Sequence, residues 1–280
     1  MTKSPVSSSG SVADHYDRLD RFYRQLWGEH VHHGLWTDPS FTPEAAVRHL
    51  ARRVAADAGL TDGGRVCDVG CGYGAPARLW AREYGAEVTG FTVSAAQKAF
   101  AERQAVQGPE PEYRLQDFLE NDVQEGTYDA VVAIESLTHI RDQPRVLREA
   151  ARLLRPGGRF VVCVWMAEPS PSPWRRRFLL EPIVEEGRLS GLPTATELRH
   201  WTTAAGLTVE RLDDVTPLVR RTWTVVLRRF LGALFTDPAV LRTLLDASES
   251  ERVFARTIPR IWLAQHLGAL RYGWLVGARE

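Results

Sequence analysis

Through the middle of the chain, short apolar runs alternate with stretches whose apolar residues recur every three or four positions. Runs at 65–69, 87–92, 112–116, 128–134 and 158–165 read as strands, several of them almost continuously apolar, as strands covered on both faces are. Helical spacing falls at 77–84, 94–107 and 143–154, the last stopped by Pro156-Gly157-Gly158. A further helix at 196–205 leads through Gly206 into a strand at 207–212, and 270–278 reads as a closing strand with Gly273 as a bulge or bend. The pattern predicts an α/β fold built on a doubly wound, seven-stranded, mainly parallel sheet.

Two pieces lie outside that repeat. Residues 14–60 read as an N-terminal helical region behind a disordered tail, 1–13, and residues 213–268 interrupt the sheet before its last strand. The interruption carries helical spacing at 219–235, 240–246 and 251–267. A tight turn would have joined an antiparallel pair, so an insertion of this length is expected to cover the ends of the strands as a lid over a ligand. The sheet domain is then 61–212 together with 269–280.

Composition narrows the function. The 280 residues balance 35 basic against 35 acidic side chains, which gives no electrostatic reason to expect nucleic acid or a membrane surface as partner. No apolar run has the length of a bilayer span, and the start of the chain lacks the apolar segment of a secretory signal. Three cysteines, Cys67, Cys71 and Cys163, cannot all pair and fall in core positions, so a reduced, cytoplasmic protein is expected. Oligomeric state is not written in the sequence, and a homo-oligomer stays open.

The chemistry concentrates at Val66-Cys67-Asp68-Val69-Gly70-Cys71-Gly72-Tyr73-Gly74, an apolar strand carrying an acid and running into three alternating glycines before a helix. Glycine suits such a loop because a side chain would keep the backbone from a ligand and because the turn needs positive φ. Dinucleotide-binding domains place G-x-G-x-x-G at the same point and an acid about 20 residues later for the ribose. Here the spacing is G-x-G-x-G, and the next strand ends in Gly90-Phe91-Thr92-Val93-Ser94 with no acid. A carboxylate at Asp68 fits a cofactor that carries an ammonium group better than one that carries phosphates.

These blocks, with Gly90 to Gln97, Gln116-Asp117-Phe118, Ala133-Ile134-Glu135-Ser136 and Leu154-Arg155-Pro156-Gly157-Gly158, resemble in order the signature of class I S-adenosylmethionine-dependent methyltransferases. Tyr16-Asp17 and Trp27 to Trp36 add a shorter resemblance to the branch of tocopherol methyltransferases, natural-product sugar O-methyltransferases and cyclopropane fatty acid synthases. The resemblance implies the Rossmann-like methyltransferase fold and S-adenosyl-L-methionine as cofactor. Asp68 would hold the ammonium of its methionine part, Gly70 and Gly72 would admit it to the backbone, and Thr92 and Gln97 would bond the ribose or the methionine portion. Asp117 would take the adenine amine with Phe118 beside the ring, Ile134 would line the site, and Tyr16 would reach the methionine carboxylate. Thr92 and Gln97 could equally be a helix cap and its neighbour, and Phe118 a core aromatic.

For the transfer itself, in-line placement supplies most of the rate, and a base is needed only if the acceptor keeps a proton. His139 follows the fourth strand at the edge where open α/β sheets bind ligands, and an imidazole suits the task; a histidine that merely caps the next helix is the plainer alternative. The cluster His30, His32 and His33 lacks the carboxylate or cysteine partners of a metal site, so no metal is expected. In an extended segment His30 and His32 share a face with His33 opposed, and the resemblance makes His32 a pocket residue. Trp165, Trp223 and Trp262 are expected to line an apolar acceptor pocket, although lid core would use such residues too. Arg175-Arg176-Arg177 and Arg220-Arg221 read as solvated helix faces or as a site for an acidic group. The expected function is methyl transfer to an O, N or C atom of a small, largely apolar specialised metabolite. The alternatives are cyclopropane-type lipid methylation or a cyclase that keeps the cofactor as structure.

Overall fold

The computed structural model describes residues 31–61, 63–236 and 249–280. Seven strands, β1 (Arg65–Val69), β2 (Glu87–Thr92), β3 (Glu112–Leu115), β4 (Tyr128–Ile134), β5 (Leu154–Ala167), β6 (Leu207–Asp214) and β7 (Leu270–Arg279), form one sheet in the order β3-β2-β1-β4-β5-β7-β6. All run parallel except β7, which is antiparallel to both its neighbours, β5 and β6. The order reverses between β1 and β4. The carboxyl ends of those two strands therefore open the crevice in which such sheets take ligands.

Helices α1 (Pro43–Asp57), α2 (Ala75–Tyr84), α3 (Ala95–Glu102), α4 (Gln143–Leu153) and α7 (Ala195–Ala204) flank the sheet, with α5 (Pro173–Arg175), α6 (Glu181–Glu186), α8 (Thr216–Val219), α9 (Arg221–Thr236) and α10 (Glu249–His266) completing the set. On one face Leu50, Val54 and Trp80 pack on Val66, Val132, Val161 and Tyr272. On the other, Phe91, Val131, Phe160 and Leu275 meet Leu147, Leu153 and Leu198. This double coverage explains why β4 is apolar at every position but Asp129, and why Val66, Cys67 and Val69 of β1 are apolar with only Asp68 buried among them. A third cluster joins Leu179, Leu180 and Ile183 to Trp223, Val226, Ile258 and Ile261. The segment around α5 and α6 thus packs with the insertion helices, and Glu186 fastens it to α10 through Thr257 and Arg260.

Several expectations shift. Gly273 is no bulge: β7 keeps unbroken register against β5 there, and the glycine leaves room for the Met166 side chain, whose sulfur a Cβ would approach to 2.6 Å. The irregularity lies instead in β6, between Val209 and Arg211. The helix expected to reach 107 ends at Glu102, and the chain then turns at Gly108, φ 105°, which lies against the Ala81 carbonyl. The helix expected at 219–235 is α9, Arg221–Thr236, preceded by the separate short α8. Residues 31–36 carry no helix, whereas the rest of the N-terminal helical expectation, 14–30, and the helix expected at 240–246 lie outside the described residues.

Candidate active site

The glycine loop after β1 is left-handed at all three glycines, with φ of 73° at Gly70, 55° at Gly72 and 71° at Gly74. Each is glycine for a different reason. A Cβ at Gly70 would collide with Ser136, whose hydroxyl donates to the Val69 carbonyl, and one at Gly74 would strike the Tyr113 ring. At Gly72 a Cβ would meet nothing within 4 Å. Gly70 and Gly74 therefore serve the protein's own packing, and open space faces Gly72. Beside this loop Asp68 is 2% exposed, and its Oδ2 has no hydrogen-bond partner. Burial pushes its carboxyl up to about 7. A buried acid with an unused oxygen next to open backbone fits a cofactor's ammonium group.

At the end of β2, Thr92 and Gln97 find one another: the Thr92 hydroxyl donates to the Gln97 side-chain oxygen at 2.9 Å. The cap of α3 is Ser94, which accepts from the Gln97 backbone N–H at 3.2 Å. Asp117 at the end of β3 spends one oxygen on the Leu119 N–H at 3.0 Å. Phe118 is a core aromatic, set edge-on to Phe91 with centroids 5.7 Å apart. It lies buried directly after Asp117, as the core-aromatic alternative has it. Tyr16 lies outside the described residues, as does His30.

The carboxyl end of β4 holds an arrangement that the motifs did not announce. Ile134 ends the strand, packed against the core, and Glu135 follows with φ 57°, a left-handed conformation that costs a residue with a Cβ energy and marks functional sites when the fold enforces it. Its carboxylate receives the His33 backbone N–H at 2.7 Å, the Tyr272 hydroxyl at 2.8 Å, and the His33 Nδ1–H at 3.0 Å from either oxygen. Burial works to raise its pKa, and the His33 imidazole with these donors more than reverses that, to about 2. Glu135 is a permanent carboxylate.

His33 is correspondingly fixed. Trp223 Nε1, which can only donate, lies 2.7 Å from His33 Nε2, so Nε2 is an acceptor and the proton sits on Nδ1, facing Glu135. Trp165, Trp223 and Tyr272 surround the imidazole with centroids 5.7, 5.9 and 4.9 Å away. The segment carrying it is pinned to the insertion by Gly34 N–H and Trp36 Nε1, both donating to Thr222 Oγ1, and by Trp36 N–H to the Leu218 carbonyl. His32 is buried too. Its Nδ1 donates to the His33 carbonyl at 2.8 Å, and desolvation lowers its pKa against the opposing pull of Glu135.

His139 ends a 3-10 turn, Leu137–His139, and is half-buried. A strap holds that turn: Ser190 N–H donates to the Thr138 carbonyl at 2.7 Å and the Ser190 hydroxyl to the His139 carbonyl at 3.2 Å. Of the expected pocket tryptophans, Trp165 and Trp223 meet around His33 with centroids 6.0 Å apart. Trp262 instead sits in the seam of α9 and α10, where its Nε1 donates to Thr224 and its ring lies on exposed His266. Arg175 is engaged by Glu168, and Arg221 lies over the Trp36 ring, so these arginines act as structural surface groups. Glu135 and Tyr272 carry no joint signal in the sequence, because they come together only in the fold, 137 residues apart. The one local signal was an acid placed directly after an apolar strand.

This sheet order with a reversed β7, a glycine loop after β1 and an orphaned acid beside it define a cofactor-binding α/β enzyme fold. Residues 40–212 match the methyltransferase domain family. The chain belongs to that family. A relative, the 27-O-demethylrifamycin SV methyltransferase of Amycolatopsis mediterranei (strain S699), is 35% identical over 237 residues, covering 83% of this chain and 85% of that one. Among solved structures the [4+2]-cyclase SpnF is 25% identical with a TM-score of 0.76, over 100% of this chain and 98% of that one. The mycolic acid cyclopropane synthase CmaA1, complexed with SAH and CTAB, shares the fold with a TM-score of 0.85 at 19% identity, over 99% of this chain and 100% of that one. Membership implies S-adenosylmethionine as methyl donor. No helix among the described residues is long and apolar enough to cross a membrane.

Proposed function

We propose that the chain binds S-adenosylmethionine at Asp68 and Gly72 and transfers its methyl group to a hydroxyl of a small, largely apolar specialised metabolite. The unpartnered Asp68 Oδ2 carries the cofactor half of this reading, since a bound ammonium group supplies the missing partner. Gly72 leaves room for the ligand at the backbone, Gln97 and Thr92 offer side-chain hydrogen bonds at the end of β2, and Asp117 has a second oxygen to give. When bound, the cofactor supplies a methyl made electrophilic by its sulfonium. The protein's task is to aim an acceptor oxygen at it, exclude water and take the proton. Trp165 and Trp223 provide the apolar wall, Glu135 a fixed negative charge, and His139 the candidate base. A relative named as a 27-O-demethylrifamycin SV methyltransferase supports a hydroxyl as the acceptor group.

Titration calorimetry with S-adenosylhomocysteine tests the cofactor half. Saturable heat is expected, with affinity falling by up to about tenfold between pH 8 and pH 6 as Asp68 takes up a proton around pH 7. Asp68→Asn should bind roughly 10 to 100-fold more weakly and lose that pH dependence. Tight binding of NAD with no response to the sulfur ligands would sink the reading. Gln97→Ala should weaken S-adenosylhomocysteine by about 1 to 3 kcal/mol while the protein still folds. The measurement is the ligand-induced rise in melting temperature, and an unchanged rise would leave Gln97 a purely internal partner of Thr92.

The acceptor half is tested with methyl-labelled S-adenosylmethionine and 27-O-demethylrifamycin SV as first acceptor, then with a panel of polyketide alcohols. Label must move to oxygen. The full-length likeness to SpnF keeps a second reading in play, a cyclase that holds the cofactor as structure. Product formation with the labelled cofactor left intact would select it.

A further inference from the structure

The polar nest around His33 contains two buried groups that the protein itself leaves unsatisfied. Gln265, on α10, is 2% exposed, and its Nε2 lies 3.2 Å from His33 Nε2. The orientation of this amide is determined: Trp223 makes His33 Nε2 an acceptor, so Gln265 must turn its NH2 toward the ring and its carbonyl oxygen away. That oxygen, Gln265 Oε1, is buried without a partner. Trp165 Nε1, a donor on the far strand β5, is likewise buried without a partner, while its ring touches the same imidazole edge-on.

Buried polar groups in native folds are satisfied almost without exception, and each failure costs about 1 to 3 kcal/mol. Here an acceptor and a donor fail together, on two elements that converge on one side chain. Burying more apolar surface would not repair either. A single chemical group that both donates and accepts would repair both, and the smallest such group on an organic ligand is a neutral hydroxyl. Gln265 and Trp165 also come from different parts of the chain, the insertion and the sheet, so a ligand bridging them would tie the one to the other.

We infer that Gln265 and Trp165 form a recognition subsite for a hydroxyl of the acceptor, with Gln265 Oε1 receiving its proton and Trp165 Nε1 donating to its oxygen. This rests on the reading of the chain as an enzyme for apolar hydroxylated metabolites and names what selects among them. His33 is a positioning residue in this arrangement. Its Nδ1 is held by Glu135 and its Nε2 orients the Gln265 amide, so the string Glu135–His33–Gln265 translates a fixed carboxylate into a fixed carbonyl direction. An apolar acceptor lacking the hydroxyl would leave the amide oxygen and the indole N–H buried and unpaired, which is how sites of this kind reject close analogues.

The test uses the full chain saturated with S-adenosylhomocysteine, so that no turnover occurs, and three probes of one shape: 2-naphthol, 2-methoxynaphthalene and 2-methylnaphthalene. Calorimetric titration should show 2-naphthol bound roughly 10-fold or more tightly than 2-methylnaphthalene, with 2-methoxynaphthalene, which accepts but cannot donate, close to the methyl compound. Gln265→Leu should bring 2-naphthol and 2-methylnaphthalene within about threefold of one another, and Trp165→Phe should narrow the gap in part. Gln265→Met serves as a second, unbranched replacement should the leucine variant fold poorly. An unchanged preference in the glutamine variants, no preference in the unaltered protein, or saturable binding of none of the probes overturns the subsite. Failure of the methyltransferase reading shows separately, as loss of S-adenosylhomocysteine binding in the unaltered protein.

Discussion

Glu135→Ala is expected to lower the stability of the folded protein by about 3 kcal/mol or more at pH 7, since three buried donors lose a charged acceptor and each buried group left unsatisfied costs about 1 to 3 kcal/mol. The substitution strands the His33 backbone N–H, the His33 Nδ1–H and the Tyr272 hydroxyl at once. It also removes the only carboxylate that the imidazole faces in this nest. The acid limb of the stability curve checks the cause. The Glu135 carboxyl is depressed to about 2 from an ordinary value of 4.5, so its contribution is complete above pH 4.5 and is lost as pH falls from there through 2. With the side chain only 14% exposed, this linkage is worth about 3 kcal/mol. Thermal melts of both proteins from pH 7 to pH 3 should therefore converge as the solution is acidified. A variant that melts within 2 °C of the unaltered protein at pH 7 would show that the fold does not depend on this carboxylate, and the left-handed backbone at residue 135 would then need another cause.

The elements that chemistry depends on most differ in how far the sequence betrays them. β1, β2 and β4 are legible to the residue because each is a short run whose buried positions are mostly apolar, bounded by turn residues. The glycine loop is legible because left-handed backbone excludes most other residues. Asp68 is legible as an acid in an apolar run. The Glu135–His33–Tyr272 set is another matter: its members are separated by 102 and 137 residues, each is an ordinary polar residue in its local window, and only the reversed strand β7 brings Tyr272 across to β4. The histidine pair shows the same limit. Alternation along an extended segment separates the directions of His32 and His33 but cannot say which faces the sheet, and His33, not the favoured His32, is the one that grips Glu135. Trp262 has the residue type of an apolar pocket wall, and helical phase puts Gln265, three residues on, toward His33.

Helix ends and glycines repeat the lesson at smaller scale. Gly273 reads as a bend because glycine weakens strands, yet its use is the space it leaves for Met166 in a strand of perfect register. The segment at 173–186 reads only as a solvated helix face at Arg175-Arg176-Arg177 because its first residues are polar and aromatic together, with Trp174 and Phe178 half-exposed. Its buried members, Leu179, Leu180 and Ile183, have their partners in the insertion, nearly forty residues or more away. Packing across an insertion is tertiary information, and no periodicity within the segment contains it.

His139→Ala is expected to lower turnover about 10² to 10⁴-fold on whichever hydroxyl acceptor the unaltered chain methylates, the span typical of removing a positioned general base. The structure gives this expectation a geometric footing. Glu135 stays ionised and is engaged on one oxygen by three donors, which makes it a poor proton acceptor and a good fixed charge. His33 has both ring nitrogens committed. His139 lies just past the carboxyl end of β4, whereas buried His32 spends Nδ1 on the His33 carbonyl and has its pKa lowered by desolvation; the His139 turn is also strapped from Ser190 through backbone carbonyls. The side chain can therefore be truncated with little effect on the turn, and S-adenosylhomocysteine affinity should stay within about twofold, a difference under 0.5 kcal/mol. Acceptors that are already deprotonated at the assay pH should lose much less rate than neutral alcohols, since they have no proton to give. Near-full turnover of the variant on neutral alcohols, or a loss of cofactor affinity that matches the loss of rate, would make His139 a structural residue and leave proximity and the fixed charge of Glu135 to account for the reaction.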